Sequence, residues 1–237
     1  MVPQIRSEVW RLLSDYIPID QELREETLAR KREEYEDLVC HYFGEYSFKD
    51  TIEILSKKVE EMSSYEITNF RQIKIDVIRT QPEVVLFSQQ PLQSMLIRIL
   101  FIWSMRHPAS AYVQGINDLA APLILVFLGA LVAQYRQNQE MVQAIPSKRE
   151  KGNEDSFVES KQTITTAQIN AKTSIYHEIT ASDLLDLDAK SILSAEADVF
   201  WCLSKLIDEI QDNFTDMQPG VHKMLNKMKA VVNQVDP

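Results

Sequence analysis

Apolar residues recur at helical spacing along much of the chain. From Gln21 to Phe43 they return to one face among many charged residues, which is the 3.6-residue period of an amphipathic α-helix. Similar stripes run over residues 52–62, 92–103 and 224–235. His107-Pro108 ends the stripe over 92–103, because proline disfavours helix in the residue before it. The pattern predicts an all-α fold of many helices.

The longest charge-free apolar stretch is the fifteen residues from Leu119 to Ala133. A helix that spans a membrane needs about 20 such residues, and Asn117, Asp118 and Pro122 crowd the start of this one. We therefore predict a buried central helix and no transmembrane segment. The polar start of the chain predicts no signal peptide.

One stretch interrupts the helical pattern. Residues 134–174 are rich in Gln, Lys, Glu, Ser, Thr and Asn and contain few large apolar residues. Such a segment buries too little surface to offset the entropy cost of ordering it, so we predict an inserted flexible loop. Structure should resume near Thr180, with a capped short helix over Leu184 to Ile192 and a further helix around Phe200 to Ile210.

Composition excludes several classes of function. With only five glycines, the chain cannot assemble a Gly-rich phosphate-binding loop or a dinucleotide motif. Cys40, Cys202 and four scattered histidines lack the spacing of a metal site, and we expect both cysteines to be reduced core or boundary residues. A net charge of −10 disfavours nucleic acid and anionic membranes as direct partners.

Two short motifs remain that carry candidate chemistry. The first, Ile73 to Thr80, places Asp76 and Arg79 three residues apart on a predicted short helical turn or bend. The second, Tyr112 to Leu119, places Gln114 beside Gly115 just before the apolar helix. Taken alone, an Asp-Arg pair is usually a surface ion pair and Gln-Gly is usually a turn.

Together the motifs resemble the IxxDxxR and YxQG signatures of the TBC domain, the module of Rab GTPase-activating proteins. The start of the chain, with Arg6 and Trp10 four residues apart, resembles the opening of that domain. The blocks Ile99–Ser110 and Glu196–Cys202 are most similar to its Golgi-associated branch. The resemblance covers residues 1–237 as one TBC domain.

The resemblance implies that Arg79 and Gln114 are catalytic residues supplied in trans to a Rab-family GTPase. Arginine stabilises charge on the transferred phosphoryl group, and the glutamine amide orients the attacking water. The partner brings the GTP and Mg²⁺, so the chain needs no cofactor of its own. It is expected to activate a GTPase rather than to be an enzyme with its own substrate.

Other residues are expected to support these two. Asp76 would hold the Arg79 guanidinium, and Tyr112 and Gly115 would shape the loop around Gln114. Ile73 completes the first motif. Asn117 and Asp118 are explained by capping of the following helix. Structural roles are expected for the motif residues Arg6 and Trp10 and for the core residues Trp103 and Trp201.

A second function stays open, namely a non-catalytic helical binding module or scaffold for a small GTPase or another membrane-traffic partner. The presence of both Arg79 and Gln114 favours catalysis. The expected location is the cytoplasm, with at most peripheral association at Golgi membranes.

The chain departs from the family pattern at two points. Ala111 stands where we expect glycine, and if that position requires a positive φ the alanine costs about 1 kcal/mol. The chain also stops at Pro237, where the family's domain should continue through further helices. We therefore expect an incomplete domain whose uncovered apolar surface favours self-association.

Residues 134–174 are expected to exchange their amide protons fast and to be cleaved early by proteases, with the flanking helices surviving. Hydrogen exchange and limited proteolysis with mass spectrometry measure both. Strong protection throughout this range would contradict the prediction.

Overall fold

The computed structural model describes residues 2–44, 51, 60, 62–144, 179–213, 215 and 217–235. Within these residues the protein is built of α-helices and short 3₁₀ turns and has no β-strand, so the all-α prediction is confirmed. The helices are α1 Pro3–Leu13, α2 Arg24–Phe43, α3 Ser64–Ile78, α4 Gln90–Arg106, α5 Ile116–Ala144, α6 Ala181–Asp186, α7 Ala189–Asp208 and α8 Pro219–Val235.

Local sequence explains several helix ends. The Ser63 side chain accepts a hydrogen bond from the Glu66 backbone N–H at the start of α3. The Glu66 side chain accepts one from the Ser63 backbone N–H, and the two bonds form a capping box. Asp188 caps α7 in the same way by accepting from the Ser191 backbone. At the C-terminal end of α2, Gly44 has a φ of +82°, which glycine adopts without a steric penalty.

Helix α5 forms the centre of the core. It packs mainly against α7 and α1, and less extensively against α4 and α3. Its stretch Ile116–Met141 has a mean hydropathy of 2.1 and is long and apolar enough to cross a membrane. However, 67% of this apolar segment is buried inside the protein. This burial is that of a core helix, as the sequence predicts.

Two buried acidic residues of α7 hold the neighbouring helices. Glu196 is fully buried and receives two hydrogen bonds of 2.7 Å from Arg98 of α4 and one of 2.8 Å from Tyr35 of α2. Asp198 is contacted by Arg11 of α1. Such pairs are costly to break, because removing one partner leaves a buried charge without compensation.

The Asp198 cluster extends to two further side chains. Arg32 of α2 donates two hydrogen bonds to its carboxylate, at 3.0 and 2.8 Å. The Tyr16 hydroxyl donates to the same group at 2.8 Å, and burial together with this carboxylate raises the pKa of Tyr16 well above its ordinary value. The phenol therefore stays a donor, and α1, α2 and α7 are joined at one point.

The residues expected to be structural are buried to different degrees. Trp103 is 1% exposed, whereas Trp10 and Trp201 are partly buried and pack against the core. The Trp201 indole donates to the Lys31 backbone oxygen at 2.8 Å. Arg6 is half-buried in α1.

The two cysteines differ more than the sequence suggests. Both are free thiols, but Cys40 is exposed on α2 and is therefore neither a core nor a boundary residue. Cys202 is buried, and this burial raises the pKa of its thiol to about 12. The buried thiol is thus unreactive at neutral pH, because the thiolate is the reactive form.

The predicted loop starts too early. Residues 134–144 form the last turns of α5, since Gln, Glu, Arg and Met are good helix formers and extend a helix that is already nucleated in the core. Residues 145–174 of that loop lie outside the described residues, as does most of the predicted stripe over 52–62. For residues 145–174 the expected fast exchange stays a prediction.

The short helix that follows is also shifted. It spans Ala181–Asp186 because Thr180 and Asp183 form a capping box there. The predicted range from Leu184 to Ile192 is wrong, since Asp188 begins a new helix and Ile192 belongs to the core face of α7.

Helix α8 presents an uncovered apolar face. Six of its apolar residues are 44% to 81% exposed: Met224, Leu225, Met228, Val231, Val232 and Val235. A groove of about 560 Å³ lies between the first half of this helix and Val113. Exposed apolar faces of this kind are association surfaces in soluble proteins.

We expect the chain to self-associate through this face of α8. Met228→Glu should weaken the association, because it places a charge in the middle of the apolar stripe. Sedimentation velocity over a range of concentrations measures the effect. Asn233→Glu is the matched control, since it adds the same charge to the opposite face of the helix. A concentration-independent monomer would contradict the expectation.

Candidate functional site

The first motif occupies the C-terminal end of α3. The sequence predicts a short turn here, but Ile73 and Asp76 lie in the last two turns of a regular 15-residue helix, and Arg79 is its C-cap. Ile73 and Asp76 are fully buried, whereas the Arg79 side chain is 52% exposed. The motif therefore begins with buried residues in the core and ends with a charged side chain at the surface.

Arg79 is held by the buried carboxylate one turn earlier. Its Nη2 atom donates a hydrogen bond of 2.6 Å to Asp76 Oδ1, as the spacing predicts. The same oxygen receives a longer bond of 3.4 Å from Gln72 Nε2. Because Asp76 is 0% exposed, its position is fixed by packing, and it orients the half-exposed arginine rather than the reverse.

The second motif lies in the loop between α4 and α5. Tyr112 is buried and its backbone N–H donates to Asn69 Oδ1 of α3 at 3.0 Å. Asn69 is itself fixed by donating to the Tyr65 backbone oxygen at 2.9 Å. Gln114 is exposed, and Gly115 after it has a φ of +104°, where any side chain would be strained.

A buried hydrogen bond joins the two motifs. The Tyr112 hydroxyl donates to Asp76 Oδ2 at 2.9 Å, while Arg79 uses the other carboxylate oxygen. Burial and the Asp76 carboxylate raise the pKa of Tyr112 well above its ordinary value, so the phenol remains a donor. The Asp76–Tyr112 link places the loops of Arg79 and Gln114 side by side.

The Asn117 side chain makes one capping contact, as the sequence interpretation expects, and a second bond that capping does not explain. Helix α5 begins at Ile116, so Asn117 lies inside its first turn and is 4% exposed. Its Nδ2 atom donates to Thr80 Oγ1 at 2.9 Å, and its Oδ1 atom accepts from the Gly115 N–H at 3.1 Å. Asp118 is exposed in the same first turn, where a negative charge interacts favourably with the helix dipole.

Sequence reasoning missed the polar residues that complete this site. Asn69 and Thr80 are 6% and 2% exposed, and both bond to residues of the second motif. A signal for them exists, because Asn69, Ile73, Asp76 and Thr80 follow the spacing of four, three and four residues that marks one helix face. Polar residues on a face that otherwise carries Phe70, Ile73 and Val77 indicate a buried network.

Comparison with known proteins identifies the family. The sequence pattern of the Rab-GTPase-TBC domain matches residues 3–237. The chain belongs to this family. The TBC chain is 35% identical over 236 residues to TBC1 domain family member 22B of Homo sapiens, which covers 98% of this chain and 35% of that protein. It is 32% identical over 231 residues to GTPase-activating protein gyp1 of Schizosaccharomyces pombe, covering 98% of this chain and 34% of that protein.

A solved structure has the same fold. The crystal structure of the Ypt/Rab-GAP domain of Gyp1p superposes with a TM-score of 0.65 at 30% sequence identity, over 100% of this chain and 56% of that chain. The resemblance inferred from the two motifs is thus confirmed. The TBC chain spans about a third of the length of the curated relatives named above.

The departure at Ala111 places a non-glycine residue in a left-handed backbone conformation in this TBC chain. Ala111 has a φ of +55°, so the position does require the left-handed conformation that glycine adopts freely. It directly precedes Tyr112, and its backbone N–H bonds to the His107 oxygen at 2.9 Å. The strain is therefore stored in the loop that carries Gln114.

Ala111→Gly is expected to raise the free energy of unfolding by about 0.5–1 kcal/mol, because it removes a side chain from a left-handed position. Urea denaturation followed by circular dichroism measures the change. Ala109→Gly is the matched control: Ala109 is exposed in the same loop without a positive φ, so glycine there should not stabilise. Equal effects of the two substitutions would contradict the explanation by strain.

Proposed function

We propose that this chain accelerates GTP hydrolysis by a Rab-family GTPase and supplies Arg79 and Gln114 in trans. The observation that carries the proposal is the Asp76–Tyr112 link, which brings together two motif loops whose outermost side chains are both exposed. Membership of the Rab-GTPase-TBC family supports the same conclusion. We call Arg79 and Gln114 the two fingers.

Arg79 is suited to stabilise the transition state. Its guanidinium is planar and permanently charged, so it can donate to phosphoryl oxygens as negative charge spreads over them. The hydrogen bond to Asp76 uses only Nη2, so the remaining N–H groups of the half-exposed side chain can face a partner without breaking the pair. Asp76 thereby lowers the entropy cost of presenting the arginine.

Gln114 is suited to orient the attacking water. Its amide accepts a hydrogen bond from water and donates another towards the phosphate, and it does not change charge with pH. The next residue, Gly115, has no side chain, which lets the backbone approach a bound nucleotide closely. In this proposal Gln114 takes the place of the GTPase's own switch glutamine.

The partner supplies the nucleotide and the metal. GTP and Mg²⁺ would be bound by the Rab, and the chain adds charge stabilisation and water orientation at the moment of contact. The chain is thus a GTPase activator rather than an enzyme with its own substrate. By the resemblance to the Golgi-associated branch, its place of action is the cytoplasmic side of Golgi membranes.

A single-turnover assay of GTP hydrolysis across a panel of Rabs tests the proposal. It should use this chain and a longer version of it, since the curated relatives are longer. Arg79→Ala is expected to lower the catalysed rate by roughly 10³-fold or more with little change in Rab affinity, because the lost interaction forms in the transition state. Arg79→Lys should not restore the rate, since an ammonium group cannot reproduce the guanidinium fork.

Arg71→Ala is the matched control, because it removes an exposed arginine from the same helix and should leave the rate close to that of the wild-type protein. Binding of a Rab without acceleration by either version would reject catalysis and favour the scaffold function instead.

Gln114→Ala is expected to slow hydrolysis by about 10²-fold if this amide positions the water. The decisive partner is a Rab whose own switch glutamine has been replaced, which the wild-type chain should still accelerate. Acceleration of the unmodified Rab alone would show that Gln114 shapes the loop and that Arg79 is the single finger.

A further inference from the structure

Asn117 bonds to the residue that directly follows each finger. Thr80 follows Arg79 and receives the Asn117 Nδ2–H at 2.9 Å, and Gly115 follows Gln114 and donates its N–H to Asn117 Oδ1 at 3.1 Å. One amide of a side chain that is 4% exposed therefore contacts both finger loops. Helix capping accounts for the bond to the Gly115 N–H but not for the bond to Thr80, which belongs to another segment of the chain.

The number of protons that each group carries decides which group donates to which acceptor in this network. The Tyr112 hydroxyl lies 2.9 Å from Asp76 Oδ2 and 3.3 Å from Asn117 Oδ1, but it has a single proton. The shorter contact is to the carboxylate, which is the stronger acceptor. The main donor to Asn117 Oδ1 is thus the Gly115 N–H, so the second finger loop depends on this amide.

Thr80 continues the network into α3. Its hydroxyl donates to the Asp76 backbone oxygen at 2.9 Å, so its lone pairs are left to accept from Asn117 Nδ2. Thr80 is 2% exposed and Asn117 is 4% exposed, so neither the Thr80 hydroxyl nor the Asn117 amide has water as an alternative partner. The Asn117 amide orientation is therefore fixed from both sides.

The two finger loops are linked both before and after the fingers. The Asp76–Tyr112 link joins the chain before each finger, and the Thr80–Asn117–Gly115 link joins it after each finger. Links before the fingers alone, which also include the Asn69 bond to the Tyr112 N–H, let the parts of the loops after the fingers move apart, whereas links on both sides close a ring and fix their relative position. Displacement of a reacting group by about 1 Å can cost about 10²-fold in rate.

We infer that Asn117 is a positioning residue that fixes the backbone of Arg79 and Gln114 in one geometry. This inference rests on the function proposed above. Asn117 does not touch the nucleotide in this scheme. It acts through Thr80 and Gly115, and its contribution exists only while both fingers take part in the same transition state.

Asn117→Ala tests the inference in single-turnover kinetics. We expect the maximal catalysed rate to fall about 10- to 100-fold, with the Rab concentration for half-saturation changed less than about threefold. In the Gln114→Ala background the same substitution should cost less than about threefold, because only one finger is left to position. A mere loss of folded protein would lower the rate by the same factor in both backgrounds, and that result would overturn the inference.

Thr80→Val and Thr80→Ser give a second test that needs no Rab. Valine keeps the shape of threonine but removes the acceptor of Asn117 Nδ2, whereas serine keeps the hydroxyl. We expect hydrogen exchange at the Gly115 amide to become at least about tenfold faster in Thr80→Val and to stay unchanged in Thr80→Ser. Amides in the centre of α5 should be unaffected in both variants.

The two tests separate the inference from the proposed function. A wild-type protein that accelerates no Rab removes the proposed function, and the positioning role falls with it. An active wild-type protein that Asn117→Ala does not slow overturns the inference alone. So does unchanged exchange at Gly115 in Thr80→Val, since that result shows that the second link does not connect the two loops.

Discussion

The carboxylate of Asp76 is the group on which the site depends. It is completely buried at the end of α3, and a charge in that position is tolerated only when hydrogen bonds replace its lost water. Arg79 and Tyr112 provide these bonds from two different segments of the chain. The requirement to satisfy one buried charge therefore determines where the two exposed side chains lie.

The same rule operates on a larger scale in the core. Glu196 and Asp198 of α7 are buried acids whose partners come from α1, α2 and α4. Apolar packing around α5 brings these helices together without specifying their rotation in detail, because hydrophobic contact is not directional. The ion pairs are directional, so they select one arrangement among those that bury similar apolar area.

Much of the fold could be predicted from the sequence because its signals are local. The helical period identified α2, α4 and α8, and the buried centre of α5 followed from the charge-free run Leu119 to Ala133. The polar end of α5 was missed, since a solvated helix without an apolar stripe resembles a loop in composition. The Asp76–Arg79 pair was predicted from spacing, because both residues lie on one helix.

The bonds between segments could not be predicted in this way. Asn117 beside a helix start has the sequence signature of a cap, and only the fold shows that Thr80 and Gly115 lie on either side of it. The positive φ of Ala111 is an exception, because the family pattern gave a local expectation at a single position.

The placement of Arg79 also affects how its charge acts at a distance. The guanidinium stands at the C-terminal end of α3, where the helix dipole is negative, and beside the Asp76 carboxylate. Both influences reduce the field that the cation projects into solvent, in a chain whose net charge is −10. Arg79 is therefore a poor long-range attractor and a good short-range donor. In the proposed function, recognition of a partner would therefore arise elsewhere on the surface, and the arginine would take effect only once the two molecules are in contact.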